Sequence, residues 1–498
     1  MTETTNERLF LSRSGRSPNG RIRPWRACIV ERVSACKGFR RSASASFVLA
    51  VGLFLAACSE KDPEAAIADA KQSLEKREHN AAALQLKTLL QEHPDDGEAR
   101  YLLGKASIEL WDFGSAEKEL RRAKGLGYDA NRVAPLLARA LLELGQPDRV
   151  LADIDPSALT DPTSQALAGA YRARAQLALG KLEDARATLN GALGLRPTLA
   201  PVLVAQAHIL AHEKDLAASE RVLDTVIAAN PGDFEALMLK AAIDRAQGRE
   251  AEARAGLEKA ISAVPSVPAP RVALADMFLR AGRLEEARAQ ADELRKMPAG
   301  VLPAKVLDGQ IAYREKRYEA ARDSAAQVLK AAPNHLPALL VSAASEFELG
   351  SLVLAEEQLR KVIARLPGHV PARRLLAEIL LREGKVEAAD EALQPLLESA
   401  SIDTDTLAQA GRIAFQAGDH DKATKLLRRA ADAKPEDTRV QSVLAASLIM
   451  GGHAAAGIEA LEKLGTQQPD QFQSEILLVM THLRARSWDK ALTALAAL

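Results

Sequence analysis

Seven prolines in this chain stand on a single ruler. Pro197, Pro231 and Pro265 are spaced by 34 residues, as are Pro333 and Pro367, and Pro435 and Pro469, and the groups themselves lie 68 apart. Pro298 falls one residue short of the vacant slot at 299, and stepping backwards reaches Pro162 (35 before Pro197), Tyr128 and Pro94. A period of this length means one supersecondary unit stacked on copies of itself, and 34 residues suit two helices with their turns. The expectation is an all-α solenoid in which each unit contacts only its neighbours.

Other positions keep the same register. Seventeen residues before most slots stands a glycine, at 145, 180, 248, 282, 350, 384, 418 and 452. Glycine has no Cβ to clash in the left-handed turn that ends a helix, so these positions predict the end of each first helix. Twelve before the slot comes a small residue, as at Ala82, Ala116, Ala185, Ala253 and Ala355, and about ten after it comes another, as at Gly104, Ala138, Ala173, Ala207 and Gly411. Small residues there let paired helices approach, and the slot proline falls just past the second helix, where no internal hydrogen bond is lost. This combination resembles the tetratricopeptide repeat. The resemblance implies a right-handed superhelix of helix-turn-helix units. The aromatics usual in that family's first helix are mostly Leu and Ala here, in keeping with an aromatic content of 4%.

The register divides the chain. Residues 62–469 hold twelve units of 34, and residues 470–498 an incomplete thirteenth, with a full first helix and the start of a second at Ser487–Leu492. The chain stops at apolar Leu495-Ala496-Ala497-Leu498, without the polar outer face that a terminal cap needs, so a truncated form of a longer chain is expected. One unit slips. Pro156 interrupts its second helix, which predicts a shortened helix and a loop over Asp155–Thr163. That loop reads either as a tolerated surface irregularity or as a bend or contact point.

The first 57 residues do not belong to the repeat. Residues 1–41 carry ten Arg and Lys against three Glu, and because the whole chain is formally neutral the remainder carries −7. After Arg40-Arg41 follows an apolar run, Phe47 to Ala57, too short to span a membrane as a helix and shaped like a secretory signal. It ends Leu55-Ala56-Ala57-Cys58, which resembles the bacterial lipoprotein box. That resemblance implies cleavage between Ala57 and Cys58, lipidation of Cys58, and a short linker at 58–61. Ser59 after the cysteine implies an outer-membrane lipoprotein facing the periplasm, with the inner membrane as the alternative. The long Arg-rich stretch ahead of the signal suggests that the true start lies near Val33. Cys28, Cys36 and Cys58 are the only cysteines, so the expected mature chain has no disulfide.

No phosphate loop, Cys-x-x-Cys or nucleophile elbow occurs, so catalysis is not expected, nor is a cofactor or metal. His208 and His212 lie one turn apart, but a metal site needs a third ligand, and the pair reads as solvated histidines on the concave face. Carboxylates and arginines at Glu117/Arg121 and Glu356/Arg360 read as helix-surface i,i+4 pairs. In the groove register Lys105, Arg139 and Arg174 fall on adjacent units and predict a cationic stripe, either screened surface or a contact for an acidic peptide or anionic polymer. None of the equivalent groove positions is Asn, so the carboxylate clamp of chaperone-tail-binding relatives is not expected. The balanced charge gives no argument for nucleic acid.

The start of the expected mature chain narrows the likeness. The segments Ala57-Cys58-Ser59-Glu60-Lys61-Asp62-Pro63, Ala99-Arg100-Tyr101-Leu102-Leu103-Gly104-Lys105 and Leu126-Gly127-Tyr128-Asp129 resemble the PEP-CTERM/exosortase-associated repeat lipoproteins of PrsT type. The likeness covers about residues 55–155. It implies a periplasmic, lipid-anchored scaffold that mediates protein–protein interactions in exopolysaccharide production or export and in exosortase protein sorting, with envelope proteins as partners. The alternative is a polysaccharide-binding or enzyme-regulating module of the envelope. Sugar grooves usually offer aromatic platforms, and past Cys58 the chain has only Trp111 and Trp488 among few Tyr and Phe.

Overall fold

The computed structural model describes residues 62–399, 402–467, 472–484 and 487–497. The expected signal, Ala57, Cys58 and the 58–61 linker lie outside the described residues, as does Pro469. Among the described residues there are α-helices and short 3-10 turns but no strand. The helices alternate as first and second members of successive pairs, from Pro63–Glu75 with His79–Glu92 to Phe472–Arg484 with Trp488–Ala497. The chain is an all-α solenoid, as its period requires.

Every turn position on the ruler among the described residues adopts the left-handed conformation. The eight glycines have φ between 68° and 88°. Where the ruler places another residue the backbone does the same, at Arg77, Trp111, Lys214 and Lys316, with φ of 60°, 59°, 65° and 61°. The turn is a Schellman closure. After helix Leu336–Glu348, Ser351 N–H donates to the Glu346 carbonyl at 2.8 Å and Gly350 N–H to the Phe347 carbonyl at 3.1 Å. Both bonds satisfy carbonyls that the helix end leaves orphaned.

The small-residue positions are the contact points of each helix pair. Ala82, Ala116, Ala185, Ala253, Ala287, Ala321, Ala355, Ala389 and Ala423 are all 0% exposed. A Cβ on Gly104 would lie 2.6 Å from Leu120 Cγ, and one on Gly411 2.6 Å from Leu427 Cγ, so glycine there sets the approach distance. Leucines opposite fill the space, with Leu120, Leu359, Leu393 and Leu427 fully buried. The core is therefore a strip running the length of the stack, consistent with stability from neighbour-to-neighbour packing.

Slot prolines 94, 197, 231, 265, 333, 367 and 435 each lie two residues beyond a second helix. Two residues further on, Asp96, Asp233 and Asp437 cap the next first helix through the side chain, and His335 and His369 do so through Nδ1. Each satisfies one of the free N–H groups of the first turn. Six residues past Pro94, Arg100 donates to the proline carbonyl at 3.0 and 2.7 Å and also pairs at 2.5 Å with buried Glu119.

The slipped unit differs from expectation in one respect. Its second helix is indeed short, Pro147–Asp153, and a 3-10 turn follows at Pro156–Ala158. Pro162, however, does not trail a helix: it opens Pro162–Ala178, a first helix of 17 residues, behind Asp161, which caps Ser164 N at 2.8 Å. The carbonyls freed by the break are satisfied from outside. Arg172 donates to Leu151 and Ile154 carbonyls at 2.9 and 2.6 Å, and Lys124 to that of Asp153 at 2.9 Å. Asn131 Oδ1 holds the loop through Thr160 and Asp161 N–H. The vacancy at 299 has a similar cause. A 3-10 turn at Pro298–Gly300 brings Gly300 so close to the Leu294 carbonyl that a Cβ would overlap it.

First helices of successive units pack on one another, as Ala130–Glu143 does on Pro162–Ala178 and Val301–Arg314 on Leu336–Glu348, whereas second helices pack on first helices. The stack therefore curves with its first helices inside, and residues at the Lys105, Arg139 and Arg174 register face the inner surface.

Candidate functional site

The inner surface closes on itself near the N-terminal end. Trp111 occupies the left-handed turn after helix Gly97–Glu109, where a glycine would expose only backbone. Its ring is thrown inward, edge-on to Phe113 at 5.4 Å and to Phe234 at 4.4 Å. Phe234 opens helix Phe234–Ala246, four units further along the chain, and Asp233 caps that helix at Ala236 N, 3.0 Å away. The two aromatics thus bridge the groove.

Behind them lies an ionic cluster. Arg139 of Ala130–Glu143 and Arg174 of Pro162–Ala178 both reach Glu235: Arg139 Nε is 3.5 Å from one carboxylate oxygen, and Arg174 Nη1 2.6 Å from the other. Arg174 also stands 3.7 Å from Glu143. The Arg139 guanidinium lies 5.7 Å from the Trp111 ring centroid, and its Nε is buried with no hydrogen-bond partner. Burial works against the charge of Arg139, but the surrounding Tyr171, Glu235, Glu109 and Glu143 keep its pKa above the ordinary value. Burial, then the charge of Glu235, pushes the Glu143 carboxyl up despite the two arginines. Burial raises the Tyr171 phenol strongly as well.

The bridge roofs a cavity of about 280 Å³. Ile108, Val204, Trp111 and Phe234 supply apolar wall, and Glu109, Arg139, Tyr171, Asp233 and Glu235 the polar lining. None of these is a nucleophile paired with a base, and among the described residues no group of three or more His, Cys, Asp or Glu could hold a metal ion.

The structure brings together three of the residues singled out in the sequence, Arg139, Arg174 and His208. Carboxylates interleave with the expected cationic stripe, so the two arginines are paired. Lys105 stays apart, exposed and without an ion-pair partner among the described residues. The reading of both histidines as solvated holds for His212, which is exposed, but not for His208. The His208 ring keeps some surface, yet protein packed around it, and secondarily the Arg174 charge, lower its pKa to about 3. Sequence reasoning missed Glu235, Tyr171, Glu143 and the Trp111–Phe234 bridge. Trp111 left one trace: it is the bulkiest residue in a slot that the chain otherwise fills with Gly, Lys or Arg.

Comparisons with known proteins bear on the fold. Two family profiles, each described as Tetratricopeptide repeat, match residues 73–140, 346–404 and 414–480 in one case and residues 204–268, 272–336 and 307–369 in the other. No curated protein matches the chain. The crystal structure of the APC/C hetero-tetramer Cut9–Hcn1 is similar over 91% of this chain and 95% of that one, with a TM-score of 0.53 and 15% identity. A tetratricopeptide repeat protein from Parabacteroides merdae aligns with 50% of this chain and 98% of its own, with a TM-score of 0.37 and 17% identity. The profiles between them span more than half of the chain, and the helix pairs, left-handed turns and buried small residues follow the same register, so the chain belongs to the tetratricopeptide-repeat family.

Proposed function

We propose that this chain is a lipid-anchored periplasmic scaffold whose inner groove holds an extended segment of another envelope protein, in exopolysaccharide production or export and in exosortase-dependent sorting. Tetratricopeptide solenoids are protein-interaction scaffolds, and specificity lies in the side chains that line the groove. The observation that carries the reading is the sequence Leu55-Ala56-Ala57-Cys58, whose cysteine stands five residues ahead of the first repeat helix, Pro63–Glu75. A lipid on Cys58 would tether the stack directly at the bilayer. No helix among the described residues is long and apolar enough to cross a membrane, so attachment through those helices is not offered as a substitute. The aromatic pair Trp111 and Phe234 is engaged ring to ring, which favours a protein segment over a sugar polymer stacked on open platforms.

Two experiments test the reading. Cys58→Ala should abolish palmitate incorporation and membrane fractionation, and a mutant that remains lipidated and membrane-bound would overturn the anchor. Photocrosslinking in cells from exposed groove position Arg412 should trap a discrete protein, whereas labelling of polysaccharide alone would replace the scaffold with a polymer-binding module.

A further inference from the structure

Several groove cations are matched by carboxylates of other units. Arg174 meets Glu143 and Glu235, Arg412 lies 3.5 Å from Glu378, and Arg245 3.2 Å from Asp276. The cavity under the aromatic bridge is different. Three carboxylates, Glu109, Asp233 and Glu235, line it; Glu235 is held by Arg139 and Arg174, which leaves Glu109 and Asp233 as the uncompensated charge. Glu109 is exposed and makes no ion pair with a described residue. Asp233 commits one oxygen to the cap at Ala236 and leaves the other free of hydrogen bonds among the described residues.

The walls carry the same preference. Trp111, Phe234 and Tyr171 surround the space, and the faces of aromatic rings attract cations through their quadrupoles. Arg139 is the internal precedent, with its guanidinium 5.7 Å from the Trp111 centroid and its Nε 3.5 Å from Glu235. A volume of about 280 Å³ falls below that of drug-sized ligand sites and suits one long side chain. An acidic side chain would enter against Glu109 and Asp233, and the arginines that could have welcomed it are already engaged with Glu235.

We infer that this cavity is a recognition pocket for one basic side chain, Lys or Arg, of an extended protein segment lying in the groove. The inference rests on the scaffold reading and reverses the charge expected of the partner there. The segment presents a cation to Glu109, Asp233 and the aromatic walls, next to Arg139, whose position fixes how far the incoming side chain penetrates.

Trp111 reports occupancy directly. In the full chain carrying Trp25→Phe and Trp488→Phe it is the sole tryptophan, and the probes are acetylated, amidated Gly-Arg-Gly, Gly-Lys-Gly and Gly-Glu-Gly. The two basic peptides should shift Trp111 emission saturably. Glu109→Gln with Asp233→Asn, in which the asparagine still caps the helix, should weaken that binding by about five-fold or more while leaving the helical circular dichroism unchanged. Equal or tighter binding of the acidic peptide, no response to either basic peptide at millimolar concentration, or full binding by the double variant would overturn the pocket. Crosslinking from Arg412 separates the two levels: a trapped protein with no peptide response ends the pocket and leaves the scaffold standing.

Discussion

Trp111 and Phe234 meet edge to face at 4.4 Å although they lie four units apart along the solenoid. Units that touch only their neighbours cannot make such a contact. It exists because curvature accumulated over those units brings one inner edge back onto another. Phe234→Ala should therefore loosen the curve as well as remove an aromatic pair worth ~0.5–1.5 kcal/mol. Small-angle scattering should show a larger radius of gyration for the variant, and an unchanged profile would mean that neighbour packing alone sets the curvature.

Lys214 and Lys316 hold left-handed backbone at φ of 65° and 61°, a conformation that costs a residue with a Cβ about 1–2 kcal/mol. Nothing in the turn needs their side chains for closure, since the Schellman bonds are backbone to backbone. Lys316→Gly should raise the midpoint of thermal unfolding, offset in part by the entropy glycine brings to the unfolded chain. Gly350→Ala should lower it by a similar energy, although an added Cβ would meet nothing within 4 Å, because φ there is 81°.

Two helical glycines should respond in opposite directions. A Cβ at Gly411 would stand 2.6 Å from Cγ of Leu427, which is 0% exposed and has no room to retreat, so Gly411→Ala should cost about 1–3 kcal/mol. Gly191 lies inside helix Leu182–Leu195 with nothing within 4 Å of a built Cβ. Gly191→Ala should stabilise by ~0.5–1 kcal/mol. Chemical denaturation of the two variants side by side distinguishes a contact point from a gap in helix propensity.

The contrast among these positions explains what the sequence could and could not reveal. A 34-residue register locates turns and contact points because each is fixed within one unit or between neighbours. The left-handed turns at Arg77, Trp111, Lys214 and Lys316 fall on the same register, although no glycine marks them in the sequence. Groove-facing positions were legible too, which placed Arg139, Arg174 and His208 on one surface. Their partners were not. Glu235 reaches Arg139 from three units away, and that distance depends on the rotation between units, which no single repeat encodes. Pro156 announced a break, but where the next helix begins was decided by Asp161 and Asn131 in the loop.

His208 makes a pH prediction whose sign follows from its surroundings. Its folded-state pKa, lowered to about 3, lies below the ordinary histidine value of 6.5. Between those values the unfolded chain binds more protons than the folded one, so stability rises with pH, is complete above 6.5 and is lost as pH falls towards 3. Glu143, raised mainly by burial, acts the other way: its folded form holds a proton that the unfolded chain releases, so its contribution grows as pH falls. The two contributions oppose each other. His208→Gln keeps a polar group of similar size and removes the histidine's part, so its melting temperature should fall less than that of the parent between pH 7 and 5. Thermal unfolding followed by circular dichroism across that range is the measurement. Parallel curves for parent and variant would mean that the ring takes up its proton without leaving the fold.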